Sequence, residues 1–146
     1  MGYAYASGIV DSAADAVWSL VRRFDALPSW HPAVVECTMV DGADPSSVGA
    51  RRRQVLSSGA VVHARLVSLD DDARALCYEM LDGPWAVRSY FSTVRVAPVT
   101  TTGDSFVEWW GRYDADLADE SELQVAFGTG VYEAGVRALL EHFRHT

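Results

Sequence analysis

The sequence contains no lysine: its 12 basic residues are all arginines, set against 20 acidic residues for a net charge of −8. A surface of that sign repels phosphate backbones and anionic headgroups, so neither nucleic acid nor a membrane is an expected partner. The one basic cluster, Arg51-Arg52-Arg53, reads as a strand that keeps one or two guanidinium groups in water. Cysteine is scarce. Cys37 and Cys77 give neither a disulfide framework nor metal-ligand spacing, and their apolar, strand-like settings predict buried free thiols in a reducing compartment. No apolar run approaches the roughly eighteen residues of a membrane span. The start, Met1 to Ala6, lacks both the basic residues of a signal peptide and the Ser or Thr that myristoylation prefers. A cytoplasmic protein is therefore expected. Phosphate loop, nucleophile elbow and zinc signature are missing, and Gly128-Thr129-Gly130 has neither the preceding strand nor the third glycine of a dinucleotide loop.

What is present is 49% hydrophobic and 22% charged over 146 residues, enough for one domain spanning 1–146 with a sizeable core. Tyr3–Val10 reads as a strand. Asp11 or Ser12 then caps a helix with Asp15 in its first turn and Val17, Leu20, Val21 and Phe24 on one face. Pro28 and Pro32 confine the stretch from Asp25 to His31 to a turn or a single helical turn. From Ala33 the periodicity becomes two. Six segments follow: Val34–Val40, Ala50–Leu56, Val61–Leu69, Arg74–Leu81, Val87–Val96 and Ser105–Asp114. Their connections are too short for crossover helices, which predicts an antiparallel meander. The chain closes with a helix from Glu120 to His145, its apolar line running Leu123, Phe127, Val131, Ala134 and Ala138.

That order predicts an α+β fold: a curved seven-stranded antiparallel sheet, two short helices, and a long C-terminal helix over a cavity. Phe24-x-x-x-Pro28-x-Trp30-His31-Pro32, Gly49-Ala50-Arg51-Arg52, and Ala64-Arg65-Leu66 running into Leu69-Asp70-Asp71-Asp72 resemble the polyketide cyclase/dehydrase and lipid-transport family. That family belongs to the START/Bet v 1-like superfamily, whose shape is the helix-grip. The resemblance covers residues 3 to 145. It implies a pocket for lipids, polyketides or hormones. Trp30 to Cys37 and Gly49 to Tyr90 also resemble plant abscisic-acid receptors. That likeness puts Tyr78, Met80, Tyr90, Ser92, Gln54, Glu108, Phe127 and Val131 on the pocket side. His31 falls where the receptors carry a ligand-contacting lysine, and Trp85 where their latch loop carries a histidine.

Two functions remain open. In the first, the protein is a cofactor-independent enzyme that cyclises, dehydrates or isomerises a hydrophobic, polyketide-like substrate. Glu108 and His31 would move protons there, and Tyr90 or Tyr78 would hold a carbonyl or enolate oxygen. Glu108 lies within Phe106-Val107-Glu108-Trp109-Trp110, where desolvation would raise its pKa. Its structural alternative is an ion pair with Arg52 or Arg112. In the second, the same cavity is that of a non-catalytic carrier, sensor or self-resistance protein. Trp30, Gln54, Tyr78, Met80, Trp85, Ser92, Trp110, Phe127 and Val131 are the expected ligand contacts in either case, in a cavity of roughly 300 Å³ or more. Gly128, Gly130 and Gly135 either remove volume beside the ligand or let helix and sheet pack closely. No metal is expected, since His142, His145 and Glu141 lack a further ligand nearby.

Overall fold

The computed structural model describes residues 1–144. β1 (Gly2–Val10) leads into α1 (Ala14–Val21). After a single 3-10 turn at Leu27–Ser29 come β2 (Val34–Met39), β3 (Arg51–Leu56), β4 (Val61–Asp70), β5 (Ala75–Asp82), β6 (Ser89–Pro98) and β7 (Ser105–Asp114). The strands form one seven-stranded sheet in the order β1-β7-β6-β5-β4-β3-β2, every pair antiparallel. A 3-10 turn at Leu117–Asp119 then opens the C-terminal helical run, α2 (Glu120–Phe127), a π-helical segment (Gly128–Glu133) and α3 (Ala134–His142). The expected end of that helix, His145, lies outside the described residues.

Alternation sets the faces. Val62, Ala64 and Leu66 of β4, Leu76, Tyr78 and Met80 of β5, and Tyr90, Ser92, Val94 and Val96 of β6 are all buried on the concave side. Small residues on β1 and β7 let the helix lie close. A Cβ on Gly8 would meet Val136 at 2.8 Å, and one on Gly111 would strike the Tyr132 hydroxyl. The turn between β4 and β5 docks on α1. Asp70 closes that turn by accepting the Asp72 and Ala73 N–H groups, while Asp71 accepts from Trp18 Nε1 at 2.8 Å and Arg22 Nε at 2.9 Å. The acidic triplet is thus a docking device.

Three details depart from expectation. Neither Asp11 nor Ser12 caps α1: its N-cap is Ala13, and the Ser12 carbonyl instead accepts the Ser105 hydroxyl at 2.6 Å. The apolar line of the last helix changes register at the π segment. Leu123 and Phe127 are buried as expected, but the stripe resumes at Tyr132, Gly135, Val136 and Leu139 rather than at Ala134 and Ala138. One extra residue in a turn rotates everything beyond it by about 100°. Cys37 and Cys77 are free but only half-buried, because one lies on the edge strand β2 and the other on the outer side of β5.

Candidate functional site

A cavity of about 240 Å³ lies between the π segment and the β3–β5 part of the sheet. Most of its wall is apolar, including Leu27, Val34, Val62, Ala64, Met80 and Trp85. It is smaller than the roughly 300 Å³ expected, because aromatic rings fill the rest of the concavity. Phe127 packs against Tyr90, Tyr113 and Trp85, with centroids 4.2, 5.1 and 5.1 Å away, and Trp109 meets Tyr132 in a tilted contact at 5.6 Å. At the polar end of this plug Tyr132 Oη meets Tyr90 Oη at 2.5 Å and Ser92 Oγ at 2.6 Å. Burial raises the pKa of Tyr78, Tyr90 and Tyr132, so all three hydroxyls stay protonated at neutral pH.

The structure brings His31, Gln54, Tyr78, Met80, Trp85, Tyr90 and Val131 together on the cavity wall. Ser92 and Phe127 are fully buried behind that wall, in the aromatic plug. Trp30 is displaced. Its ring packs on His31 and Trp109 at 5.7 and 6.2 Å and borders a separate void of about 20 Å³. Two residues face away altogether. Glu108 and Trp110 alternate with the buried Val107, Trp109 and Tyr113, so they lie on the outer side of β7. There Glu108 accepts the Tyr5 hydroxyl at 2.7 Å and sits 3.5 Å from Arg95, while Trp110 stacks on Tyr5 at 6.5 Å. The ion-pair alternative for Glu108 therefore has the right chemistry with a different arginine from Arg52 or Arg112.

His31 is buried, and both of its ring nitrogens are occupied. Nδ1 accepts the Ala33 N–H at 3.1 Å, which leaves Nε2–H to donate to the Val131 carbonyl at 2.8 Å. That carbonyl belongs to the π segment, where the helix ladder is irregular and acceptors need partners from outside. Burial, reinforced by the charge of Arg52, lowers the His31 pKa against the smaller opposing effect of the Val131 hydrogen bond. The ring is thus a neutral tie between the loop before β2 and the last helix.

Sequence reasoning gave Arg52 no role in the site. Arg51 and Arg53 point to water, but Arg52 is only 4% exposed and lines the cavity. Its Nη1 donates to the Phe24 carbonyl at 2.9 Å, and its guanidinium lies 3.8 Å from the Phe24 ring centroid and 4.8 Å from that of Tyr78. Its Nε–H has no partner. No carboxylate among the described residues acts on it, and desolvation lowers its pKa. Gln54, two residues along β3 and on the same face, is also buried and its Nε2 has no partner. Strand alternation placed Arg52 beside Gln54, and that parity was the available signal. Trp109, another wall residue missed, follows from the same rule applied to β7. Among the described residues no cluster of His, Cys, Asp or Glu could hold a metal ion, and no helix is long and apolar enough to cross a membrane.

A sequence model of the family described as polyketide cyclase / dehydrase and lipid transport matches residues 4–144. The abscisic acid receptor PYL7 of Arabidopsis thaliana is 34% identical over 92 residues, which is 61% of this chain and 42% of the receptor. The chain spans less than half the length of the curated relatives it matches here. A Thermobifida fusca protein solved by NMR superimposes with a TM-score of 0.86 at 32% identity, covering 98% of this chain and 93% of that one. A START superfamily protein of Mycobacterium smegmatis shares the fold at a TM-score of 0.79 and 14% identity, covering 98% and 97% of the two chains.

Proposed function

The chain belongs to the polyketide cyclase / dehydrase and lipid transport family, and from that footing we propose that it is a non-catalytic binding protein for one small, mainly apolar molecule. The observation that carries this reading is the chemistry of the cavity wall. Among the described residues no carboxylate reaches it, and the one imidazole there has already engaged both nitrogens. General acid–base catalysis needs a group whose proton is free to move near neutral pH. Neutral tyrosines with raised pKa values and a guanidinium do not supply one. What remains is an apolar, shaped enclosure with a few fixed donors, which suits recognition.

The enzyme reading makes an opposite prediction about turnover. Small oxygenated aromatics and short-chain acids, incubated with the wild-type protein and followed by NMR, are expected to bind in a saturable 1:1 fashion and to be recovered unchanged. Val62→Phe, which fills the enclosure from the β4 side, is expected to abolish binding without unfolding the protein. Formation of a cyclised or dehydrated product would return the protein to the catalysts.

A further inference from the structure

A guanidinium withdrawn from water is strongly destabilised unless charge and hydrogen bonds are returned to it. Arg52 receives one carbonyl and two ring faces, no carboxylate, and its Nε–H is left over. Gln54, alongside it, keeps an unpaired amide nitrogen in the same wall. Two buried donor groups, one of them cationic, thus share one face of β3 at an otherwise apolar enclosure. A neutral carbonyl could accept a hydrogen bond from either but would leave the charge uncompensated. A phosphate would bring more charge and more acceptors than these two side chains can match in an apolar setting. A carboxylate fits both counts.

We propose, on the footing of the binding reading above, that the cavity recognises the carboxylate of a small apolar acid, held by Arg52 and Gln54. The apolar remainder of the acid lies against Val62, Ala64, Met80 and Trp85. Size limits the class further. An apolar cavity of about 150 Å³ accommodates benzene, or about 25 Å³ per non-hydrogen atom. At that density a cavity of about 240 Å³ takes about ten such atoms. Octanoate and phenylacetate have that size. Long-chain lipids and multi-ring polyketides exceed it.

Isothermal titration at pH 7.5 with matched acids and amides tests the assignment: octanoate against octanamide, and phenylacetate against phenylacetamide. The wild-type protein is expected to bind each acid at least about tenfold more tightly than its amide, since a hydrogen bond to a charged partner is worth roughly twice a neutral one. Arg52→Met, which keeps length and removes the charge, is expected to erase that preference while still binding the amides. Gln54→Leu should weaken the acids severalfold and keeps the test alive if Arg52→Met does not fold. Acid and amide within twofold of each other on the wild type, or a preference that survives Arg52→Met, would overturn the carboxylate assignment and leave the binding reading intact. If none of the four compounds binds, the binding reading falls with it.

Discussion

Glu108 and His31 are the residues at which chemistry and position part company. Glu108 has the aromatic neighbours of a buried acid, yet its carboxylate faces outward between Tyr5 and Arg95. Glu108→Gln is therefore expected to leave ligand affinity unchanged. Its effect on stability should stay within about 1 kcal/mol, the range of a partly exposed ion pair, as read from urea melts. His31 carries a pH dependence of the opposite origin. Its folded-state pKa is lowered from 6.5, so the unfolded chain binds the proton more readily. The stabilisation is fully present above pH 6.5 and is lost as the pH falls below that value toward the folded-state pKa. Protonation also turns Nδ1 into a donor facing the Ala33 N–H and adds charge near Arg52. The urea midpoint of the wild type should fall between pH 7.5 and pH 5. In His31→Gln this part of the slope should be missing, and an unchanged slope would show that the ring titrates normally.

At the scale of elements, the strands were legible in the sequence because a period of two states both the element and its inner face. That rule groups Val62 with Ala64, Tyr78 with Met80, and Tyr90 with Ser92; the likeness to the receptors then names the last four as facing the pocket, and all six are buried on the concave side. The same rule applied to β7 pairs Glu108 with Arg112, four residues on, and so sets the carboxylate among outward side chains. Resemblance to receptors with a longer chain had pointed the other way. The π segment was illegible for a different reason. A single extra residue leaves a 3.6-residue pattern intact on either side and changes only their relative phase, and Gly128-Thr129-Gly130 offers no bulky side chain to report that phase. The glycines of the C-terminal helical run are unequal. A Cβ at Gly130 meets nothing within 4 Å, whereas one at Gly135 runs into the Trp109 ring and comes within 3.0 Å of His31. Gly130→Ala is expected to stabilise the protein by up to about 1 kcal/mol, and Gly135→Ala to destabilise it by about 1–3 kcal/mol. Denaturant melts of the two variants, run side by side, separate open space from close packing.

The whole molecule divides its concave face into two unequal parts. Toward β1, β7 and β6, the face is closed by Trp109, Tyr113, Phe127 and Tyr132 packed under the helix. Toward β3 and β4 it stays open, with Arg52 and Gln54 at the wall and the Ser57-Ser58 turn at the rim. The outer strand on that side, β2, pairs with β3 alone and is exposed at three of its six residues. Opening free energies should follow this division, since local unfolding is easiest where backbone hydrogen bonds are few and poorly covered. Amide exchange in the free protein is expected to be slowest in β6 and β7 and fastest in β2. A bound acid should then act locally, because most of the cavity wall belongs to the open half and the π segment, with Tyr90 and Trp109 its contacts on β6 and β7. With octanoate at about a hundred times its dissociation constant, global unfolding should become harder by about 2.7 kcal/mol through mass action. The additional, sub-global protection should concentrate in β3, β4, the Ser57–Gly59 turn and the segment around Gly130 and Val131. Protection rising equally across β7 and β1 would mean that the ligand enters the aromatic plug instead. In that case Tyr90, Tyr132 and Ser92, rather than Arg52, would be the groups that meet it.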